Sequence, residues 1–157
     1  MSRVIFMCGP SGAGKSTYAQ RLEEAGMVRL SFDAEAWKRG IFVVPFPPGV
    51  REEIEERLRT RLLELVSEGT DVVLDFSFWS RQMRDDYRRL LDPTGVVPET
   101  VYLATDRATV LDRVRGRRTS HPDDYMLDED LAAYYFDHFE PPTPDEGPLT
   151  IIPSPNP

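Results

Sequence analysis

Cysteine occurs once in 157 residues and histidine twice. A single thiol excludes an internal disulfide framework and agrees with a reducing cytosol. His121 and His138 stand apart from each other and from Cys8, so no zinc-binding spacing exists. No apolar run approaches the roughly 20 residues of a membrane span. The chain opens on strand-like residues, so no signal peptide is expected and a cytoplasmic protein is. Positive charge is also scarce: 19 Lys and Arg stand against 27 Asp and Glu, a formal net charge of −8. That disfavours the coating of long nucleic acid, which leans on phosphate neutralisation. The basic residues cluster at Arg81–Arg89 and Arg107–Arg118, so local fields can differ in sign from the global one. Repeats and domain linkers are absent too, and the length suits one domain over residues 1–157.

What is present is concentrated near the start. Gly9-Pro10-Ser11-Gly12-Ala13-Gly14-Lys15-Ser16-Thr17 fits G-x-x-x-x-G-K-[ST], the P-loop pattern. It follows the apolar run Val4–Cys8, read as a buried strand, and precedes Ser16–Ala25, read as a helix. Glycines let the backbone wrap a phosphate, and amides at the helix N-terminus point at its oxygens. Lys15 is expected at the β- and γ-phosphates of ATP and the Ser16 hydroxyl on Mg²⁺. Cys8, at the strand end, reads as a small core residue.

Apolar runs alternate with helix-period segments, the pattern of an α/β fold with a parallel sheet. Further strands are expected at Met27–Phe32, Asp71–Asp75, Glu99–Ala104 and Leu149–Ile152. Val50, Ile54, Leu58, Leu62, Leu65 and Val66 recur at helical spacing up to Gly69. Ser80 is placed to cap a helix carrying Met83, Tyr87, Leu90 and Leu91. Asp106–Val114 reads as another helix, and Asp128 as the cap of a last one with Leu131, Tyr135 and Phe139 aligned. Three stretches lack period: the proline-bearing loop Gly40–Gly49, the polar segment Arg115–Met126, and the proline-rich Pro141–Pro148.

Ligands of such sheets sit beyond the carboxyl ends of the strands. Asp33 follows the second strand, where it could accept the proton of an attacking hydroxyl or merely cap a helix over Ala34–Arg39. Asp75 ends the third strand, where a carboxylate holds Mg²⁺ or bonds the acceptor; the residues leave both open. Arg113, Arg115, Arg117 and Arg118 could form a flap over the γ-phosphate or a solvated basic face. Arg113 and Arg117, four apart, are the preferred pair. Trp37, Phe78 and Trp79 are candidates to line an acceptor pocket. Arg81 and Arg84 could orient the acceptor or lie on a solvated helix face, and the Glu52–Glu56 run reads as solvated surface.

With these residues placed, the chain resembles the small P-loop kinase group that includes phage polynucleotide 5′-kinase, chloramphenicol phosphotransferase and zeta toxin. The resemblance rests on Gly9–Thr17, Ser31-Phe32-Asp33, Val73-Leu74-Asp75, Tyr102-Leu103 with Arg113 and Arg117, and Phe139-Glu140-Pro141-Pro142. It implies a five-stranded parallel sheet flanked by helices, with a lid, and phosphorylation of a hydroxyl from ATP. Asp33 would be the general base, Arg113 and Arg117 the lid arginines, and Asp75 a carboxylate near the acceptor. Gly9, Ser11, Gly12, Ala13, Gly14, Lys15, Ser16 and Thr17 would hold the nucleotide. The insert Phe76-Ser77-Phe78-Trp79-Ser80 is this chain's own.

The leading expectation is a Mg²⁺-dependent ATP phosphotransferase acting on a small-molecule hydroxyl. A kinase for nucleic-acid 5′-ends is the alternative, since a single-stranded end needs only a small basic funnel. A nucleotide-gated switch is the alternative of another class. It lacks the Asn-Lys-x-Asp guanine signature here.

Overall fold

Alternation along the first strand divides the molecule. In β1 (Val4–Cys8) every residue is buried, with Val4, Phe6 and Cys8 in one apolar cluster and Ile5 and Met7 in another. A strand covered on both faces reads as a continuous apolar run for this reason. The computed structural model describes residues 2–10, 13–41, 47–115 and 129–153. Within them β1 is followed by α1 (Lys15–Glu24), β2 (Val28–Ser31), α2 (Phe32–Lys38), α3 (Val50–Ser67) and β3 (Val72–Asp75). Then come α4 (Arg81–Leu91), β4 (Glu99–Ala104), α5 (Arg107–Arg115), α6 (Glu129–Asp137) and β5 (Leu149–Pro153), with single 3₁₀ turns at Asp92–Thr94 and Pro144–Glu146.

The strands form one parallel sheet in the order β2-β3-β1-β4-β5. The five expected strands are all there, with no end shifted by more than one residue. The order bears on Asp33: β3 intervenes between β1 and β2, so the strand that leads to Asp33 is not the direct neighbour of the P-loop strand. β3 is the direct neighbour, with Val4 opposite Val72 and Phe6 opposite Leu74. The larger core packs α2, α3 and α4 on one face through Phe32, Ile54, Leu58, Leu62, Tyr87 and Leu91. The smaller packs α1 on the other through Ala19 with Met7, Val73 and Leu103. Among the described residues no helix is long and apolar enough to cross a membrane.

Of the three helix caps read from the sequence, two lie among the described residues, with different outcomes. Ser80 accepts from the Met83 amide at 3.1 Å and starts α4 as expected. The cap of α2 is Ser31, which accepts from Ala34 N, so the helix begins at Phe32 and Asp33 lies inside its first turn. Asp128 falls outside the described residues.

Arg84 is the largest departure. Neither an open acceptor contact nor a solvated face, it is fully buried on α4. Its Nε donates to Glu146 Oε1 at 2.8 Å, its Nη2 to Oε2 at 3.3 Å, and its Nη1 to the Phe78 carbonyl at 2.8 Å. Arg88 adds a bond to the same carboxylate at 3.1 Å. Phe78, expected in an acceptor pocket, is likewise core: its ring stacks on Phe6 at 4.3 Å and meets Tyr87 edge-on at 5.3 Å. The bulk of a benzyl group beside the sheet is best buried there. Cys8 is buried beneath the same turn, and burial pushes its thiol up to about 12 against the pull of Arg84 and Lys15. It is a core residue, as read.

Burial alone would raise the Glu146 carboxyl. The bonds from Arg84, the Thr143 amide and Arg88 outweigh it and hold the group down to about 2, against an ordinary 4.5. A carboxylate depressed by folding stabilises above its unfolded value. Stability should therefore fall as pH drops from about 4.5 toward 2, and acid melts should show it. Glu146→Gln leaves Arg84 as a buried charge with a weaker partner, a loss of roughly 3 kcal/mol at neutral pH. Urea melts of the variant at pH 7 and pH 3 should differ less than those of the parent.

Candidate active site

The loop after β1 turns on two glycines. Gly9 has φ 154°, and a Cβ there would stand 3.3 Å from both the Ala13 Cβ and the Leu103 carbonyl. Gly14 has φ 96°, and its missing Cβ would point at Arg113 Nη1, 3.2 Å away. Side chains at either position would be strained and would crowd the loop. The loop is tied on both flanks. Gly9 N donates to the Ser77 carbonyl at 3.0 Å, and Thr105 Oγ1, at the end of β4, donates to the Ala13 carbonyl at 3.0 Å.

Lys15 and Ser16 open α1. Lys15 is buried rather than open, and its Nζ donates to the Pro10 carbonyl at 3.1 Å. Ser16 Oγ donates to Asp75 Oδ2 at 3.1 Å. The structure thus joins Ser16 and Asp75, the two residues expected at the metal. A second donor reaches the same oxygen, Nη2 of Arg29 on β2, at 3.2 Å. Nothing in the sequence singles out Arg29. One arginine between Val28 and Leu30 reads as the polar half of an alternating strand.

Ser16 and Asp75 fit a small hard cation, since both offer oxygen. Among the described residues no group of three or more His, Cys, Asp or Glu could enclose a metal. Phosphate and water would have to complete the shell, as Mg²⁺ at phosphate sites requires. The loop fits a nucleotide for a separate reason: Gly14 leaves a space that a Cβ would fill. Beside it a cleft of about 540 Å³ is lined by Ala13, Thr17, Tyr18, Arg21, Thr105 and Arg113 among others. Thr17 and Arg113, both singled out by the sequence reading, line this cleft. Arg113 is exposed, and Arg117 with Ser11 and Gly12 falls outside the described residues.

The acceptor-side residues do not converge equally. Ser31 pairs with Asp75 in register, so Asp33 begins two residues beyond the strand end next to Asp75. Asp33 and Trp37, four apart on α2, are both half-buried and share a helix face. Trp79 is exposed, and the Arg51 guanidinium, absent from the sequence reading, stands 5.5 Å over the Phe32 ring. Arg81 is exposed but pairs with Asp145 at 3.0 Å. The turn leading to Trp79 is bent back on itself. Ser77 and Phe78 have φ 70° and 49°, and Phe78 N donates to the Phe76 carbonyl at 2.8 Å. Left-handed backbone at non-glycine residues persists only where contacts enforce it. Here Gly9, Cys8 and Arg84 all bond its carbonyls.

Sheet order, loop and strand-end carboxylate together define a nucleotide-binding P-loop fold of the kinase-like type. A family model described as an AAA domain, AAA_33, matches residues 4–142, and the chain belongs to that family. No curated protein sequence matches it. Among solved structures it is similar to a gluconokinase from Sinorhizobium meliloti 1021, at 22% identity and TM-score 0.67, over 99% of this chain and 84% of that one. It is also similar to Kti12 of Chaetomium thermophilum in complex with ADP-AlF3, at 14% identity and TM-score 0.68, covering 96% and 88%. A chain of the Pnkp1/Rnl/Hen1 RNA repair complex gives TM-score 0.75 at 14% identity, over 87% of this chain but 43% of that one. At such identities the likeness is one of fold.

Lys15→Ala should leave the fold intact, since the bond from Nζ to the Pro10 carbonyl is local to the loop and joins no two elements of the core. ATP turnover should fall by about 10²-fold or more, the scale of losing a charged donor at a transferring phosphoryl group. Circular dichroism alongside a turnover assay checks both halves.

Proposed function

We propose that this chain is a Mg²⁺-dependent kinase that transfers the γ-phosphoryl group of ATP to a hydroxyl of a small molecule. The observation that carries the reading is the pair of carboxylates at adjacent strand ends of a kinase-like P-loop fold. Asp75 bonds the P-loop serine, while Asp33 lies in the first turn of the helix that follows the adjacent strand. Family membership and the gluconokinase fold likeness support it. A net charge of −8 weighs against the other expected acceptor, a nucleic-acid 5′-end.

Each residue then has a task. The loop amides of Gly12–Ser16 cradle the phosphates, and Lys15 exchanges the Pro10 carbonyl for a phosphate oxygen. Ser16 and Asp75 would hold Mg²⁺, which supplies neutralisation of the phosphate charge when bound. Asp33 takes the proton of the acceptor hydroxyl as its oxygen bonds to the γ-phosphorus. The bond to the β–γ bridging oxygen breaks, and that oxygen leaves on ADP. Arg113, beside Gly14, and Arg117 neutralise charge on the transferring group. Trp37 and Trp79 bound the acceptor side, and Arg81 borders it. Arg84 and Phe78 act from beneath, holding the turn that presents Trp79.

A transfer screen with ATP and Mg²⁺ over nucleosides, oligonucleotides, aminoglycosides, phenicols, sugars and sugar acids tests the assignment. Small-molecule phosphorylation is the expected result, and oligonucleotide-only transfer would replace it with the 5′-end reading. With the acceptor in hand, Asp33→Asn should lower transfer by about 10²- to 10⁴-fold, the usual contribution of a general base. Nucleotide affinity should stay within a few-fold. Because Ser31 caps α2, the helix should persist in the variant, which circular dichroism checks. Undiminished transfer by the variant would return the protein to the nucleotide-switch reading.

A further inference from the structure

Arg29 has no part in the scheme above, yet it is built into the proposed metal site. It lies on β2 opposite Val73, on the sheet face covered by α1, and reaches diagonally to Asp75. Both side chains are withdrawn from water, at 10% and 3% exposure. Its Nη2 and the Ser16 hydroxyl converge on a single oxygen, Asp75 Oδ2. A guanidinium does not lose its proton in a protein, so this is a permanent positive charge. Placed against Asp75, it offsets the charge that would draw a free metal in. The described residues offer no further cluster of anionic ligands to restore it.

We infer that Arg29 suppresses the affinity of the metal site for a free divalent cation. This rests on the reading of Asp75 as a metal carboxylate. Mg²⁺ gives up its water reluctantly and depends on anionic partners to do so. In the nucleotide-free protein Ser16 is neutral and Asp75 is already paired, so the missing negative charge must come from the phosphates. Arg29 also holds Oδ2 in one place, which fixes the carboxylate that the arriving complex meets. A structural role confined to joining β2 and β3 would leave metal affinity untouched, and that separates the two.

Mn²⁺ serves as the probe, titrated into nucleotide-free protein and into its ADP complex while free Mn²⁺ is followed by electron paramagnetic resonance. The parent protein should bind Mn²⁺ only weakly without ADP and at least about 100-fold more tightly with it. Arg29→Met should raise nucleotide-free affinity by about tenfold or more, the scale of removing a nearby like charge at a partly screened site. Asp75→Asn added to that variant should abolish the gain, and Arg29→Lys should keep the weak binding of the parent. If Arg29→Met does not fold, Arg29→Gln removes the charge while keeping hydrogen-bonding nitrogen, and the same gain is expected. Tight Mn²⁺ binding by the nucleotide-free parent overturns the inference, as does an unchanged affinity in the neutral variants. A failure of the underlying metal reading looks different: Mn²⁺ affinity in the ADP complex would then be indifferent to Asp75→Asn alone.

Discussion

The pairing of β1 with β3 is the contact on which the site depends. It sets Phe6 opposite Leu74, one residue short of Asp75, and so brings a carboxylate to the mouth of the loop that follows β1. α1 leaves that loop and packs over the same strands, which carries Ser16 to Asp75. Exchange β2 and β3, and Asp75 would stand one strand further from the loop. Ligands collect where a sheet's strand order diverges on either side of a central strand, and β1, between β3 and β4, is that strand here.

A second constraint works from below. The chain must turn sharply after Asp75 to start α4, and it does so through two residues in left-handed backbone. No glycine relieves that turn; hydrogen bonds do. The Arg84–Glu146 pair is the anchor, because a buried guanidinium with a bidentate carboxylate has little freedom to rotate. Such a pair adds little net stability over apolar packing, while loss of either partner is severe. Its value here is geometric: one side chain fixes the Phe78 carbonyl, which in turn lies against the loop strand through Cys8. The proposed acceptor side thereby inherits its shape from residues that touch no ligand.

Motifs with a local cause could be read directly. The P-loop and its flanking strand and helix are written in consecutive residues, and the cap at Ser80 follows from hydroxyl chemistry three residues from an amide. Two readings failed for an instructive reason. Arg84 and Phe78 sit in segments whose period suits either surface or core, and only the neighbouring elements decide which. Glu146 hid in a proline-rich stretch taken as plain loop. Yet Thr143-Pro-Asp-Glu146 has capping-box spacing, and the structure forms that box. That signal was available. Arg29 and Arg51 had none, since an isolated arginine looks alike in a strand or helix whether it meets solvent, a carboxylate or a ring.

By itself, then, the chain determined its class. Apolar alternation specified five strands and a parallel sheet, glycine spacing marked the P-loop, and strand-end acids marked the edge where the candidate site lies. Those properties are local, each settled by the backbone preferences and periodicity of a few neighbours. What only the tertiary structure decided was adjacency: β3 rather than β2 beside β1, Ser31 rather than Asp33 as the cap, Arg29 on Asp75, Arg84 beneath the turn that precedes α4. Charge pairs and burial depend on which distant segments meet, and contacts between residues 46 or 62 positions apart leave no periodic trace in a single sequence.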